Sequence, residues 1–290
     1  TEQAQRLLQD VETLEVAIYM GDGACPEWAR SYTELVSDSS PAPLPALDSN
    51  AMAGIFYTGG TTGFPKGVMQ SHRAIWASAV GALPLMEMHR KTVYLHAAPM
   101  FHMADFAGSM GATMSCASNV IVSAFEPGLV LDILGSEKVT HALLVPAMIK
   151  MMLSHPALDS ADVSSLECVA YGASPMPAAT LETLLQKWPG VGLVQAYGQT
   201  ELAPVATMLA KADHQAGSEK LKSAGQPTAV SELRIVDEQG ADCAVGVSGE
   251  IVVRGPHTMI GYWYKPDEHA KALQDGWVFT GDAGYLDSDG

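Results

Sequence analysis

From residue 54 onward, short runs of apolar and β-branched residues alternate with longer stretches whose apolar positions recur at helical spacing. The runs at 54–57, 92–97, 120–123, 140–145, 166–171 and 191–196 predict strands. The stretches at 71–86, 106–117, 127–136, 146–154 and 177–188 predict helices, several with Ser or Pro at the start, where a side-chain acceptor or a pre-set φ favours helix entry. Such alternation predicts an α/β fold with a mainly parallel sheet flanked by helices. After about residue 225 the pattern changes. Runs at 232–237, 250–254 and 277–280, joined by Glu-Gln-Gly and Gly-Val-Ser-Gly turns, predict an antiparallel β subdomain. Before the core, residues 1–14 read as the tail of a helix and 38–45, rich in Pro and Ser, as an extended surface connection. The expected organisation is a peripheral helix and connection over 1–50, an α/β core over 51–224 and the β subdomain over 225–290.

With 48% hydrophobic residues the chain can bury a large core. Its 32 acidic against 16 basic residues, a formal charge of −16, argue against a surface that neutralises a nucleic-acid backbone or an anionic membrane. If phosphates bind, the attraction must be local. Cys25, Cys116, Cys168 and Cys243 form no C-x-x-C pair, which argues against zinc or a disulfide framework and for a reduced, cytoplasmic setting. No stretch approaches the roughly 18 uninterrupted apolar residues of a membrane span. The sequence starts without Met and stops at Asp289-Gly290 directly after a strand-like segment, so it is expected to be an excerpt of a longer product.

The most informative string is Tyr57-Thr58-Gly59-Gly60-Thr61-Thr62-Gly63-Phe64-Pro65-Lys66-Gly67, between a predicted strand and a turn. Its four glycines let backbone N–H groups converge on an anion, its three hydroxyls add donors or metal ligands, and Lys66 supplies charge. That is the chemistry of a polyphosphate cradle; the alternative is a Gly/Thr-rich hairpin with a solvated Lys. An ordinary P-loop is rejected, because Pro65 and Gly67 stand where Gly and Ser or Thr would flank the Lys. The string resembles the signature loop of the adenylate-forming (AMP-binding) superfamily, which includes acyl-CoA synthetases, aryl-CoA ligases, luciferases and peptide-synthetase adenylation domains. Gly59 departs from the family's more usual Ser or Thr, which removes one hydroxyl from the cradle.

Further strings follow in the family's order. Gln195-Ala196-Tyr197-Gly198-Gln199-Thr200-Glu201 follows the last predicted parallel strand, where open α/β sheets place ligands. Tyr197 offers a ring face for adenine, Thr200 a hydroxyl for the α-phosphate and Glu201 a hard oxygen for Mg²⁺, the three jobs this motif does in the family it resembles. Alone, the string also reads as a strand end followed by a capped helix. Tyr171-Gly172-Ala173-Ser174-Pro175-Met176 resembles the family's small-residue turn beside adenine, and Phe279-Thr280-Gly281-Asp282 the Thr-Gly-Asp motif whose carboxylate receives the ribose hydroxyls. In isolation both are ordinary turns. Pro99-Met100-Phe101-His102-Met103 resembles the Pro-x-Phe-His segment in which the His lies beside the activated carboxylate; a core histidine is the alternative. Met100, Met103, Met110 and Met114 suggest a soft apolar wall for an acyl chain, or simply core.

The resemblance, to the acyl-CoA synthetase branch above all, implies activation of a carboxylic acid, fatty or otherwise apolar, to acyl-AMP, with ATP and Mg²⁺ and then coenzyme A as co-substrates. Lys66 and the loop would hold the outer phosphates, Glu201 with Thr58 the Mg²⁺, Thr200 the α-phosphate, and His102 and Met103 the acid. An adenylating enzyme with another acceptor and a nucleotide-binding module without turnover are the rivals. Family members carry, beyond this point, a hinge and a small mobile domain with a catalytic Lys. Residues 1–290 alone are therefore expected to be close to inactive.

Overall fold

The computed structural model describes residues 2–59 and 65–290. The chain divides into two units, Thr1–Leu47 and Asp48–Gly290. In the first, helix α1 (Glu2–Asp10) stops short of the predicted residue 14, ahead of a stretch with β-branched Val11, Thr13 and Val16. Two short parallel strands, β1 (Ile18–Tyr19) and β2 (Arg30–Ser31), lead into α2 (Tyr32–Asp38), which the sequence pattern did not reveal. Ser31 caps α2 by accepting from the Glu34 N–H at 3.4 Å. The Pro-rich stretch after it carries no regular structure, as expected.

The second unit opens with a departure from expectation. Strand β3 (Met52–Thr58) is not part of the parallel sheet. It pairs antiparallel with β4 (Lys66–Ser71), in register from Thr58↔Lys66 to Met52↔Ser71. The connection from 59 to 65 is too short for a crossover, which takes a dozen or more residues, so the chain returns beside itself. Thr58 and Lys66 therefore stand opposite each other at the mouth of a hairpin. Ser71 then caps α3 (His72–Met86), its Oγ accepting from the Ala74 N–H at 3.0 Å.

The predicted alternation follows: β5 (Val93–His96), α4 (Met103–Met114), β6 (Ser118–Ile121), α5 (Pro127–Ser136), β7 (His141–Leu143), α6 (Pro146–Leu153), β8 (Cys168–Gly172), α7 (Ala178–Lys187) and β9 (Gly192–Tyr197). The five strands are parallel in the order β6-β5-β7-β8-β9. Two short strands missed in the sequence, β10 (Thr207–Leu209) and β11 (Gln226–Pro227), extend the edge antiparallel to seven strands. β6 begins two residues before its predicted start because it is an edge strand whose Ser118 and Asn119 are exposed, so pairing with β5 rather than apolar character defines it. Helix α4 starts three residues before its predicted start, after His102 in an extended conformation.

Leu95, Leu131, Leu134, Ile149, Val169, Leu181, Leu184 and Leu193 form the core between one sheet face and helices α5–α7. On the other face Met86 of α3 packs with Cys168, Ala170 and Val194. Buried on both faces, β8 reads as a continuous apolar run.

The rest is β12 (Glu232–Val236), β13 (Gly249–Arg254), β14 (Gly261–Tyr262), α8 (Pro266–Ala272), β15 (Leu273–Gln274) and β16 (Trp277–Gly284). Strands β12-β13-β16-β15 make the expected antiparallel sheet. β14 leaves it and pairs antiparallel with β4, so the hairpin gains a third strand from near the end of the sequence. The fold is a mixed α/β architecture with a parallel-rich central sheet and antiparallel additions. Among the described residues no helix is long and apolar enough to cross a membrane.

Candidate nucleotide site

A cavity of about 870 Å³ opens where the turn after β8, the end of β9 and β16 converge. Ala173, Ser174, Gln195, Ala196, Tyr197, Gly198 and Asp282 all line it, although they come from three separate strings of the sequence. Tyr197 Oη donates to Asp282 Oδ2 at 2.8 Å. Burial raises the Tyr197 phenol well above its ordinary pKa and the Asp282 charge adds to this, while a hydrogen bond with Thr280 opposes it; the phenol remains a donor. The Thr-Gly-Asp turn is held on both sides. Thr280 Oγ1 donates to the Ile251 carbonyl at 2.7 Å and accepts from the Asp282 N–H at 3.1 Å, and the Gly281 N–H donates to Glu250 Oε1 at 3.0 Å.

Two glycines here have packing reasons. At Gly198, with φ +157°, a Cβ would lie 2.0 Å from the Pro204 carbonyl oxygen. At Gly172 it would lie 2.2 Å from the Ala196 carbonyl oxygen. Gly172 is buried and allows β8 and β9 to pair closely; Ala173, at φ +63°, makes the turn, and with Ser174 it forms the exposed wall.

A second cluster gathers at the hairpin mouth. Thr58 and Lys66 are paired residues at the ends of β3 and β4. Lys66 Nζ lies 4.5 Å from the centroid of the Tyr262 ring and 3.9 Å from Glu268 Oε2. Tyr262 Oη donates to Glu201 Oε1 at 2.6 Å. Burial, then the hydrogen bond and charge of Glu201, raise the Tyr262 phenol far above its ordinary value, so the proton stays on the phenol. Glu201 is buried at 6% exposure on a 3₁₀ turn, Thr200–Leu202, in place of the longer helix its string suggested. That turn is anchored twice. Gln70 Nε2 of β4 donates to the Thr200 carbonyl at 2.5 Å, and the Met259 N–H donates to the Glu201 carbonyl at 2.8 Å. Among the described residues a side chain at Gly59 would meet nothing within 4 Å. Gly60, Thr61, Thr62 and Gly63 lie outside the described residues.

The expected acyl-side residues separate. His102 is exposed immediately before α4, its ring 4.7 Å from that of Phe101. Met103 is buried at 4% exposure and offers its side chain to the core, so the structure does not bring it to a ligand surface. Helix α4 packs on the hairpin through Phe106 and Phe56, ring centroids 5.1 Å apart. Beneath it, His96 Nδ1 and Asp105 Oδ2 lie 2.8 Å apart, and His96 Nε2 and Asn119 Oδ1 also 2.8 Å. Burial alone would lower the His96 pKa, but the hydrogen bonds with Asp105 and Asn119 outweigh it and raise the value. Asp105, the acidic residue of this apolar helix, is thus a buried partner of His96.

Sequence reasoning missed Gln70, Tyr262 and Glu268. The available signal for Tyr262 was the apolar run Met259-Ile260-Gly261-Tyr262-Trp263-Tyr264 inside an otherwise polar stretch.

The sequence profile described as AMP-binding enzyme matches residues 1–263. The chain is 35% identical over 293 aligned positions to the medium/long-chain-fatty-acid–CoA ligase FadD8 of Mycobacterium tuberculosis, an alignment covering 100% of this chain and 51% of that protein. Its fold matches the solved amide bond synthetase McbA from Marinactinospora thermotolerans with a TM-score of 0.85 at 32% identity, over 100% of this chain and 56% of that one. It also matches o-succinylbenzoate coenzyme A synthetase from Bacillus subtilis, solved in complex with ATP and magnesium ion, with a TM-score of 0.79 at 29% identity, over 90% and 54% of the two chains. The chain spans about half the length of the curated relatives it matches. With a profile match over most of its length and a cavity built from the motif strings, the chain belongs to the AMP-binding enzymes.

Proposed function

We propose that these residues carry the nucleotide and acid sites of an enzyme that activates an apolar carboxylic acid, such as a fatty acid, to its acyl-adenylate and passes the acyl group to coenzyme A. The observation that carries this is the Tyr197–Asp282 pair on the wall of a cavity, together with the Glu201–Tyr262–Lys66 cluster, whose Glu201 lies four residues along the chain from Tyr197. A ring face and a carboxylate suit a nucleoside. A lysine beside a pinned carboxylate suits its phosphates.

In this reaction the substrate carboxylate, ionised at neutral pH, attacks the α-phosphorus; one P–O bond forms as the bond to pyrophosphate breaks. The protein's work is positioning and charge neutralisation. Tyr197 stacks on the base between it and the Ala173–Ser174 wall, Asp282 accepts from the ribose hydroxyls, Thr200 donates to the α-phosphate and Lys66 meets the outer phosphates. Glu201 and Thr58 would supply the hard oxygens for Mg²⁺. When bound, that ion neutralises the leaving pyrophosphate. His102, exposed before α4, faces the acid, and the half-exposed Met100 and Met114 favour an apolar one. Both co-substrates place the reaction in the cytoplasm. These 290 residues by themselves are expected to bind nucleotide and to be close to inactive, with at most slow turnover.

The likeness to an amide bond synthetase supports a second reading, in which an amine replaces coenzyme A as acceptor. The test is calorimetric titration of the chain with AMP and ATP, followed by pyrophosphate release across apolar, aromatic and amino acids, with coenzyme A or an amine added. Binding of both nucleotides and release that depends on an apolar acid are expected. Failure to bind either nucleotide would overturn the proposal, and product formed with amine alone would select the second reading.

A further inference from the structure

We propose that Tyr262 is a positioning residue for the phosphate end of the site, its hydroxyl orienting the Glu201 carboxylate toward a divalent cation and its ring holding the Lys66 ammonium toward the outer phosphates. This rests on the adenylation site proposed above and adds a residue to it.

Tyr262 has little freedom. It sits on β14, which is laced to the hairpin by the Ile260 N–H donating to the Met69 carbonyl at 2.9 Å and the Trp263 N–H to that of Gly67 at 2.8 Å. Its side chain, 6% exposed, packs with Val68 and Met259. The fixed ring presents two chemically different surfaces. At its edge, the 2.6 Å contact from Oη to Glu201 Oε1 has the length of a charge-assisted O–H···O⁻ bond. It occupies one carboxylate oxygen and sets the orientation of the other. Over its face, Lys66 Nζ at 4.5 Å is within cation–π range. Glu268 Oε2, half-exposed and 3.9 Å away, is a second partner of the same ammonium. One side chain therefore couples the hairpin's cation to the acid on the 3₁₀ turn.

A purely structural role for Tyr262 explains the buried ring but not the hydroxyl, because phenylalanine would fill the same space between Val68 and Met259. Tyr262→Phe separates the two roles. Groups that orient metal ligands typically change metal affinity about 10–100-fold when removed. Calorimetry of ATP binding at increasing Mg²⁺ should show the half-effective Mg²⁺ concentration for Tyr262→Phe raised about tenfold or more, with AMP affinity unchanged. Tyr262→Leu, which also removes the ring, should in addition lose the Mg²⁺-free preference for ATP over AMP several-fold. Tyr262→Phe loses one oxygen and keeps its packing, so it carries the test even if the Leu variant is too unstable to purify. Unaltered Mg²⁺ dependence in Tyr262→Phe with intact AMP binding overturns the inference while leaving the adenylation site standing. A parallel loss of AMP and ATP affinity in that variant would mean a structural role only and overturns it too. If the unmodified chain binds neither nucleotide, the site itself is wrong and the inference falls with it.

Discussion

Tyr197 donates its phenolic hydrogen to Asp282 across 2.8 Å, and by that bond the last parallel strand of the seven-stranded sheet meets β16 of the antiparallel sheet. The residues lie 85 positions apart, yet together they line one cavity. The bond also fixes the phenol as donor and the carboxylate as acceptor at the place where a ribose would be held.

Asp282→Asn should therefore weaken AMP and ATP alike. The amide keeps the shape and loses the charged acceptor, and a hydrogen bond to a charged group contributes about 1.5–3 kcal/mol, roughly tenfold to hundredfold in affinity. Calorimetric titration with both nucleotides measures it. Unchanged AMP affinity would remove Asp282 from the nucleotide contact.

Lys66→Ala should divide the two nucleotides. Its ammonium sits at the hairpin mouth, away from the Tyr197–Asp282 pair in sequence, and is assigned to the outer phosphates that AMP lacks. ATP affinity is expected to fall about tenfold to hundredfold, while AMP affinity stays. Equal losses would place the lysine elsewhere.

Gly198→Ala tests the backbone of the site. At φ +157° the new Cβ would press on the Pro204 carbonyl oxygen at 2.0 Å and the Ala206 nitrogen at 2.9 Å. Backbone cannot yield as a flexible side chain does, so a cost of about 2–3 kcal/mol is expected. In a unit of this size that lowers the melting temperature by roughly 4–12 °C, read by circular dichroism. An unchanged melting temperature would show that the turn after β9 accommodates a side chain.

Acid should destabilise the fold in a defined window. Burial pushes His257 from its ordinary 6.5 down to about 4, against a backbone hydrogen bond with Val230, and burial lowers His141 and His214 as well. A group with a depressed folded pKa is protonated first in the unfolded chain. Its stabilising contribution is complete above pH 6.5 and is lost as the pH falls toward 4, about 3 kcal/mol for His257. His96, with a raised pKa, acts in the opposite sense: its contribution is complete below 6.5 and is lost as the pH rises through its folded value. With three lowered histidines against one raised, the melting temperature should drop between pH 7 and 4.5. His257→Gln should flatten that slope; equal slopes in the two proteins would mean that His257 is not held neutral.

Local signals carried much of the fold. Helix α5 runs from Pro127 to Ser136, as expected, because Pro at the first turn and the apolar spacing act within the segment itself. Ser71 capped α3 where a Ser before an apolar stretch predicted a start. The same reasoning failed where pairing rather than composition made the strand. Residues 54–57 read like a parallel strand because a strand's pattern does not say which partner it takes, and the first two residues of the edge strand β6, Ser118 and Asn119, lacked the apolar signature that marked Val120 and Ile121.

By itself, the sequence determined the alternation of elements and the inventory of chemistry: a Gly/Thr loop ending in Lys66, the Tyr197–Glu201 string and the Thr280–Asp282 turn, all recognisable because their meaning lies in a few adjacent residues. Only the tertiary structure decided which of these groups touch. Glu201 and Tyr262 meet from 61 positions apart because β14 pairs with β4, and a side chain at Gly172 would strike the Ala196 carbonyl of the neighbouring strand. Met103 turned inward on the same helix start that left His102 exposed. Periodicity and caps act over one or two turns of chain, whereas a hydrogen bond or a ring contact depends on distances of a few ångströms between segments, and those are set by strand pairing and core packing.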